Sequence, residues 1–170
     1  MRYHEEDKKL KTFRLCSLTV YVQNNGEFVR HSIPLEDGLI INKENPDDRW
    51  LVEGIIQKDF KEFFDDLKTK EEPILLEASI TDKNNPPATF VATVRDSKFI
   101  QDDFHLLLDA KRLLRRQNYS EFILKSLVEK GISGEQLLHE FKRLKQERGE
   151  VYKFMIEQEI KLNNIPKYKD

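Results

Sequence analysis

The chain has 170 residues, 29 Lys and Arg against 31 Asp and Glu, and a formal net charge of −2. Charged residues make up 35% of it and no run approaches the ~18 apolar residues of a membrane-spanning helix, so no membrane insertion is expected, nor a global field that recruits nucleic acid. Cys16 stands alone, which excludes an internal disulfide and a cysteine metal cage.

The polar start MRYHEEDKKLK lacks the apolar segment of a secretory signal, so the expected location is cytoplasmic, and residues 1–11 read as a flexible arm. From Thr12 the pattern is that of a strand. Phe13 and Leu15 alternate in one phase and Cys16, Leu18, Val20 and Val22 in the other, a slip that predicts a β-bulge near Cys16 and Ser17. Within such a strand Cys16 reads as an inert, buried thiol. Asn25-Gly26 is a hairpin signal, because both residues tolerate positive φ. A second strand through Val29, His31, Ile33 and Leu35 then reaches Asp37-Gly38, read as another turn before Leu39, Ile40 and Ile41.

Loop residues Lys43 to Asp48 lead to the strand around Trp50, with Leu51, Val52, Ile55 and Ile56. Asp59 with Glu62 three residues on reads as a capping box for a helix, along which Phe60, Phe63, Phe64 and Leu67 share one face. Helical spacing of this kind marks core more often than a ligand pocket, which also needs convergent polar groups. Ile74, Leu76, Ala78 and Ile80 then alternate as a strand, Asn84-Asn85-Pro86-Pro87 breaks it, and Phe90, Ala92 and Val94 begin a long one. That strand continues to Phe99 and Ile100, turns at Gln101 to Asp103 and returns through Phe104, Leu106 and Leu108. About seven short strands with such turns predict a sandwich or barrel.

At Ala110 the composition shifts to strong helix formers, and no proline follows before Ile165. Phe122, Ile123, Leu127 and Val128 form a stripe, Gly131 stops that helix, and Ser133 with Gln136 offers a new cap. The next helix carries Leu137, Phe141, Leu144, Arg148, Val151, Met155, Gln158 and Leu162 in heptad rhythm. Unbroken to Asn163 it would be ~45 Å long, far longer than its ~16 Å partner Ser120 to Lys130. Something else must cover its distal half: residues 110–119 as helix, the barrel, or another chain, with Gly149 as a bending point. The expected architecture is therefore α+β: a mostly antiparallel β-barrel over 12–109 with one packed helix, a C-terminal helix pair over 110–165, and a tail 166–170.

No constellation identifies a reaction. His4, His31, His105 and His139 are scattered without zinc spacing, although sheet folding is able to bring His31 near His105. The doublets Asp47-Asp48, Asp65-Asp66 and Asp102-Asp103 fit turns and solvated faces better than an EF-hand loop. Lys111, Arg112, Arg115 and Arg116 form the densest basic cluster, a candidate anion contact, but a solvated helix face is the favoured reading.

The segment LEDGLIINKENPDDRWLVEGII, with KTFRLCSL before it and DFKEFF after it, resembles the YwpF-like family of small bacterial proteins over residues 11 to about 109. The resemblance implies a compact barrel with an attached helix pair, similar in fold to tube-forming components of type VI secretion systems, and supplies no catalytic residues. The expectation is a non-enzymatic interaction or assembly module without cofactor or metal, meeting a protein partner or a second copy through Leu137, Phe141, Leu144, Val151 and Met155. The alternatives are a barrel that binds a small apolar ligand between the Phe60 helix and the Trp50 strand, and nucleic-acid binding through the basic cluster.

Overall fold

A computed structural model describes residues 10–114, 116–162 and 165–166. Seven strands form one antiparallel sheet: β1 (Lys11–Asn24), β2 (Glu27–Ile33), β3 (Leu35–Asn42), β4 (Arg49–Ile56), β5 (Ile74–Ile80), β6 (Ala88–Ile100) and β7 (Asp103–Leu114). Their order is β2-β1-β3-β4-β7-β6-β5, and pairing of β5 with β1 closes a six-strand barrel. Closure removes most unpaired edges, leaving β2 paired only to β1. The helices are α1 (Lys61–Lys70), α2 (Arg116–Glu129), α3 (Gly134–Gln146) and α4 (Arg148–Lys161). None among the described residues is long and apolar enough to cross a membrane.

The register of β1 against β5 shifts between Leu15 and Ser17, where the change of phase predicts a bulge. Asn25 and Gly26 take φ of 54° and 83° in the β1–β2 turn. The Asp37-Gly38 turn does not form. Both residues lie inside β3, and the chain breaks instead at Pro34, so that β2 and β3 follow one another along the same edge of β1. Gly38 answers a steric need: a Cβ there would lie 3.0 Å from Leu15 Cβ and 3.2 Å from the Glu53 carbonyl oxygen.

The phenylalanine helix forms, but without the expected Asp59 cap. A 3-10 turn over Lys58–Phe60 precedes α1, and Phe60 occupies the cap position with no side-chain bond to the backbone. Burial drives this helix rather than capping. Phe64 and Leu67 join the barrel core, with Phe60 and Phe63 packed against it. At its other end Glu71 turns left-handed at φ 51° and donates its N–H to the Leu67 and Lys68 carbonyls.

Strand β7 continues to Leu114, beyond the expected change at Ala110, because Ala110 pairs with Trp50 on one side and Ala92 on the other. Ladder bonds on both flanks override the helix preference of residues 110–114. Strand β5 is covered on both faces: Ile74, Leu76 and Ala78 point into the barrel, while Leu75 on the outside enters a second core. That second core joins Tyr21, Leu75 and Val91 of the barrel wall to Ile123 and Leu127 of α2 and to Val151, Tyr152, Met155 and Ile156 of α4.

The α2–α3 turn forms where expected: Gly131 takes φ 79°, and the N–H of Ile132 reaches the Leu127 carbonyl at 3.1 Å. Ser133 holds the cap position of α3 without a side-chain cap bond. The single long helix does not form. It breaks at Glu147, at φ −101° and ψ 65°, two residues before Gly149.

Candidate functional site

The break at Glu147 decides where the heptad residues go. Val151 and Met155 are buried on the barrel wall, and Leu137, Phe141 and Leu144 are partly buried against the same core. Leu137, Phe141, Leu144, Val151 and Met155 are therefore covered by the chain itself, and beyond the break the cover is the barrel wall. Leu162, the last residue of the stripe, stays in solvent (65% exposed), as do Leu124 (38%) and Val128 (60%) on α2, Leu138 (54%) on α3 and Ile160 near the end of α4.

Arg143 braces the bend. Its guanidinium donates to Glu140 Oε2 at 2.7 and 3.1 Å, to Glu147 Oε2 at 2.7 Å and to Glu150 Oε2 at 3.0 Å, so one cation touches carboxylates before, at and after the break. The bond from Arg143 holds the Glu140 carboxyl below its ordinary range, and the carboxylates raise the already high pKa of the guanidinium. Beneath this brace lies a cavity of about 120 Å³ lined by Phe122, Leu127, Ile132, Leu144, Val151 and Phe154.

The first half of the basic cluster is not a helix face. Lys111 and Arg112 belong to β7; Lys111 pairs with Glu159 of α4 at 3.1 Å, and Arg112 places its guanidinium 5.8 Å over the Trp50 ring. Arg115 and the Arg116 side chain lie outside what the structure describes. His31 packs on the Phe63 ring at 4.7 Å, whereas His105 faces Glu53 at 3.7 Å, so the strands do not join the two. The acidic doublets serve locally: Asp48 accepts from Trp50 Nε1, Asp65 and Asp66 pair with Lys61 and Lys70, and Asp102 and Asp103 border the β6–β7 turn. Among the described residues no three His, Cys, Asp or Glu side chains gather as a metal ligand set.

A polar cleft of about 520 Å³ opens where the β1 bulge meets β3 and the β5–β6 loop, lined by Arg14, Cys16, Glu36, Asp37 and Lys83 among others. Cys16 is half-buried at its wall rather than in the core. Thr81 beside it sits at φ 73°, a conformation that strains a β-branched residue by about 1–3 kcal/mol and is held by its N–H bond to the Arg14 carbonyl at 2.8 Å.

Two polar groups on the outer barrel wall escape periodicity analysis. Asp109, 5% exposed, accepts from Arg95 Nε at 3.0 Å and Nη2 at 2.7 Å, with Lys43 at 3.8 Å. Tyr21, 6% exposed, donates to Glu77 Oε1 at 2.6 Å and meets the Tyr152 ring edge-on at 4.7 Å. The available sequence signal is a lone acid between core residues, Leu76-Glu77-Ala78 and Leu108-Asp109-Ala110. Burial, then the Glu77 carboxylate, pushes the Tyr21 hydroxyl up to about 12. An unfolded tyrosine ionises near 10, so this preference is fully present below about pH 10 and is lost as pH rises through about 12. Denaturation midpoints from pH 8 to 12 should fall over that window in the native chain by about 2 kcal/mol more than in Tyr21→Phe. Equal slopes would show that Tyr21 does not govern the alkaline limb.

Comparison with known proteins covers both the barrel and the first two helices after it. The YwpF-like protein family matches residues 11–144, farther than the resemblance over residues 11 to about 109 and ending three residues short of Glu147. The uncharacterized protein YwpF of Bacillus subtilis (strain 168) is 36% identical over 134 residues, 79% of this chain and 98% of its own length. A crystal structure of a hypothetical protein from Staphylococcus aureus is 31% identical and aligns with 82% of this chain and 96% of that one at a TM-score of 0.57. With a six-strand barrel, an attached helical layer and a match over most of its length, the chain belongs to the YwpF-like protein family.

Proposed function

We propose that the protein acts without catalysis, as an assembly module whose contact face is the outer side of α2. One observation carries this reading: Leu124 and Val128, one helical turn apart, stay exposed on a helix whose Ile123 and Leu127 are buried. The face differs from the heptad stripe, which the fold consumes. Its partner is a second copy, presenting the same two side chains across a twofold axis. Light scattering over a concentration series tests it: the native mass should rise from 20.2 kDa, and Leu124→Glu with Val128→Glu should hold it there without loss of helix signal. A native chain that remains monomeric, or a double variant that associates equally, refutes the α2 face. The likeness to secretion-tube barrels that the family resemblance implies would be one of fold and names no partner.

The small-ligand alternative shifts its place. Phe64, Phe90, Phe104, Ile40 and Leu108 fill the barrel interior, while the cavity under Arg143 is lined by apolar side chains with Lys130, Glu140, Arg143 and Glu150 at its rim and is of a size for one small guest. Native mass spectrometry of freshly purified protein should reveal such a guest. The nucleic-acid alternative loses support because Lys111 and Arg112 are engaged within the chain.

A further inference from the structure

We infer that α4 is an exchangeable element: the chain straightens at Glu147, α3 and α4 merge into one helix, and α4 docks on the barrel of a second copy to give a domain-swapped dimer. Three observations meet at this point. The heptad rhythm runs unbroken from Leu137 to Leu162, so the residues around the bend suit a continuous helix and contain no proline. The bend itself is one residue, Glu147, whose neighbours Gln146 and Arg148 already end and begin helices. The site that receives α4 is part of the barrel wall, where Tyr21, Leu75 and Val91 meet Val151, Tyr152, Met155 and Ile156.

A second copy carries the same apolar stripe and the same receiving wall, so exchange keeps the contacts of α4 with the barrel wall while restoring helical bonding across the break. Two further ties travel with the element: Lys111 to Glu159, and the Thr93 hydroxyl to the Pro166 carbonyl at 2.7 Å. Of the Arg143 contacts, those to Glu140 and Glu147 are helix-spaced at i−3 and i+4 and survive straightening. Only the bond to Glu150 spans the bend. Space for the motion exists beside it, in an open cleft of about 370 Å³ between Glu27, Phe28, Glu147 and Lys153. The family match ends at Leu144, so α4 lies beyond the matched residues and follows them through this single bend.

Two backbone substitutions separate the bent from the straight form. Gly149 lies in the first turn of α4 when bent but in a helix interior when straight, where alanine gains about fivefold in helix preference. A Cβ at that position meets the Phe28 carbonyl oxygen at 3.6 Å, an ordinary contact, so Gly149→Ala is tolerated by the bent form. Arg148→Pro does the reverse: proline is welcome at the first position of α4 and breaks a continuous helix.

Each protein is concentrated after brief exposure to sub-denaturing urea and its dimer fraction measured by light scattering. Gly149→Ala should raise the ratio of dimer to monomer about fivefold, and Arg148→Pro should lower it at least about tenfold, with circular dichroism unchanged. The exchange is then read directly with Phe28→Cys and Gly149→Cys in a Cys16→Ser background, because a Cβ at 149 lies 3.8 Å from that of Phe28, within disulfide range. Oxidised dimer should run as a covalent dimer on a non-reducing gel. Monomer bands from that dimer, equal dimer fractions in the two single variants, or no dimer in Gly149→Ala each overturn the exchange. Leu124→Glu with Val128→Glu should leave it intact, which keeps its outcome apart from that of the α2 face.

Discussion

Phe64→Ala should lower stability by about 3–5 kcal/mol, enough to unfold a domain of ordinary net stability near physiological temperature. Phe64 is fully buried, packs edge-on against Phe63 at 5.0 Å and contacts Phe60 at 6.4 Å, and belongs to the cluster of side chains that fills the barrel. Its removal costs the transfer of the ring and leaves a cavity that the surrounding strands cannot close, since each is tied to two neighbours. Urea denaturation read by Trp50 fluorescence would measure it. A loss below about 1 kcal/mol would mean that α1 is docked loosely and that the aromatic stripe is free to line a pocket. Phe60→Ala, at the partly buried start of the stripe, should cost distinctly less.

Asp109→Ala should be the second most costly change, at about 2–4 kcal/mol, for an electrostatic reason. Its carboxylate is 5% exposed and receives the Arg95 guanidinium through a two-point contact, with Lys43 approaching from the other side. Removing it takes the two-point carboxylate away from Arg95 and a nearby countercharge away from Lys43. Part of the expense is relieved because the Arg95 side chain is 23% exposed and reaches water. Adding Arg95→Met to Asp109→Ala should recover a share of the loss, since an apolar replacement of both partners removes the half-buried charge together with its countercharge. A double variant no more stable than Asp109→Ala alone would place the cost in lost packing.

How much of this was legible differs from element to element. The strands through Trp50, Ile74 and Phe90 announce themselves because a half-buried strand needs apolar residues at every second position, and that requirement is local. The bulge near Cys16 is visible as a change of phase for the same reason. Asp37-Gly38 misleads because a glycine has two uses, and close approach by Leu15 from another strand is not encoded beside it. Asp59 misleads in the same way: a cap is worth about 1 kcal/mol, whereas burying the phenylalanine face is worth several, and the helix starts where the face requires.

The candidate site was the least legible part. The heptad stripe is real as a pattern, but a pattern states that a face must be covered and leaves open by what. The barrel wall supplies the cover through Tyr21, Leu75 and Val91, far earlier in the chain than Val151, a separation at which sequence periodicity carries no information. The same holds for Lys111 and Arg112, whose partners Glu159 and Trp50 become neighbours only when β7 is paired on both sides.

By itself, the sequence determined the number and order of the strands, the hairpin at Asn25-Gly26, the stop at Gly131 and the apolar face of α1, all of them set by backbone preference or by periodicity within about ten residues. Barrel closure by β1 and β5, the bend at Glu147 and the inward turn of the heptad stripe were decided only by tertiary structure, because each depends on which surface lies opposite, and burial rewards the best available cover whatever its distance along the chain.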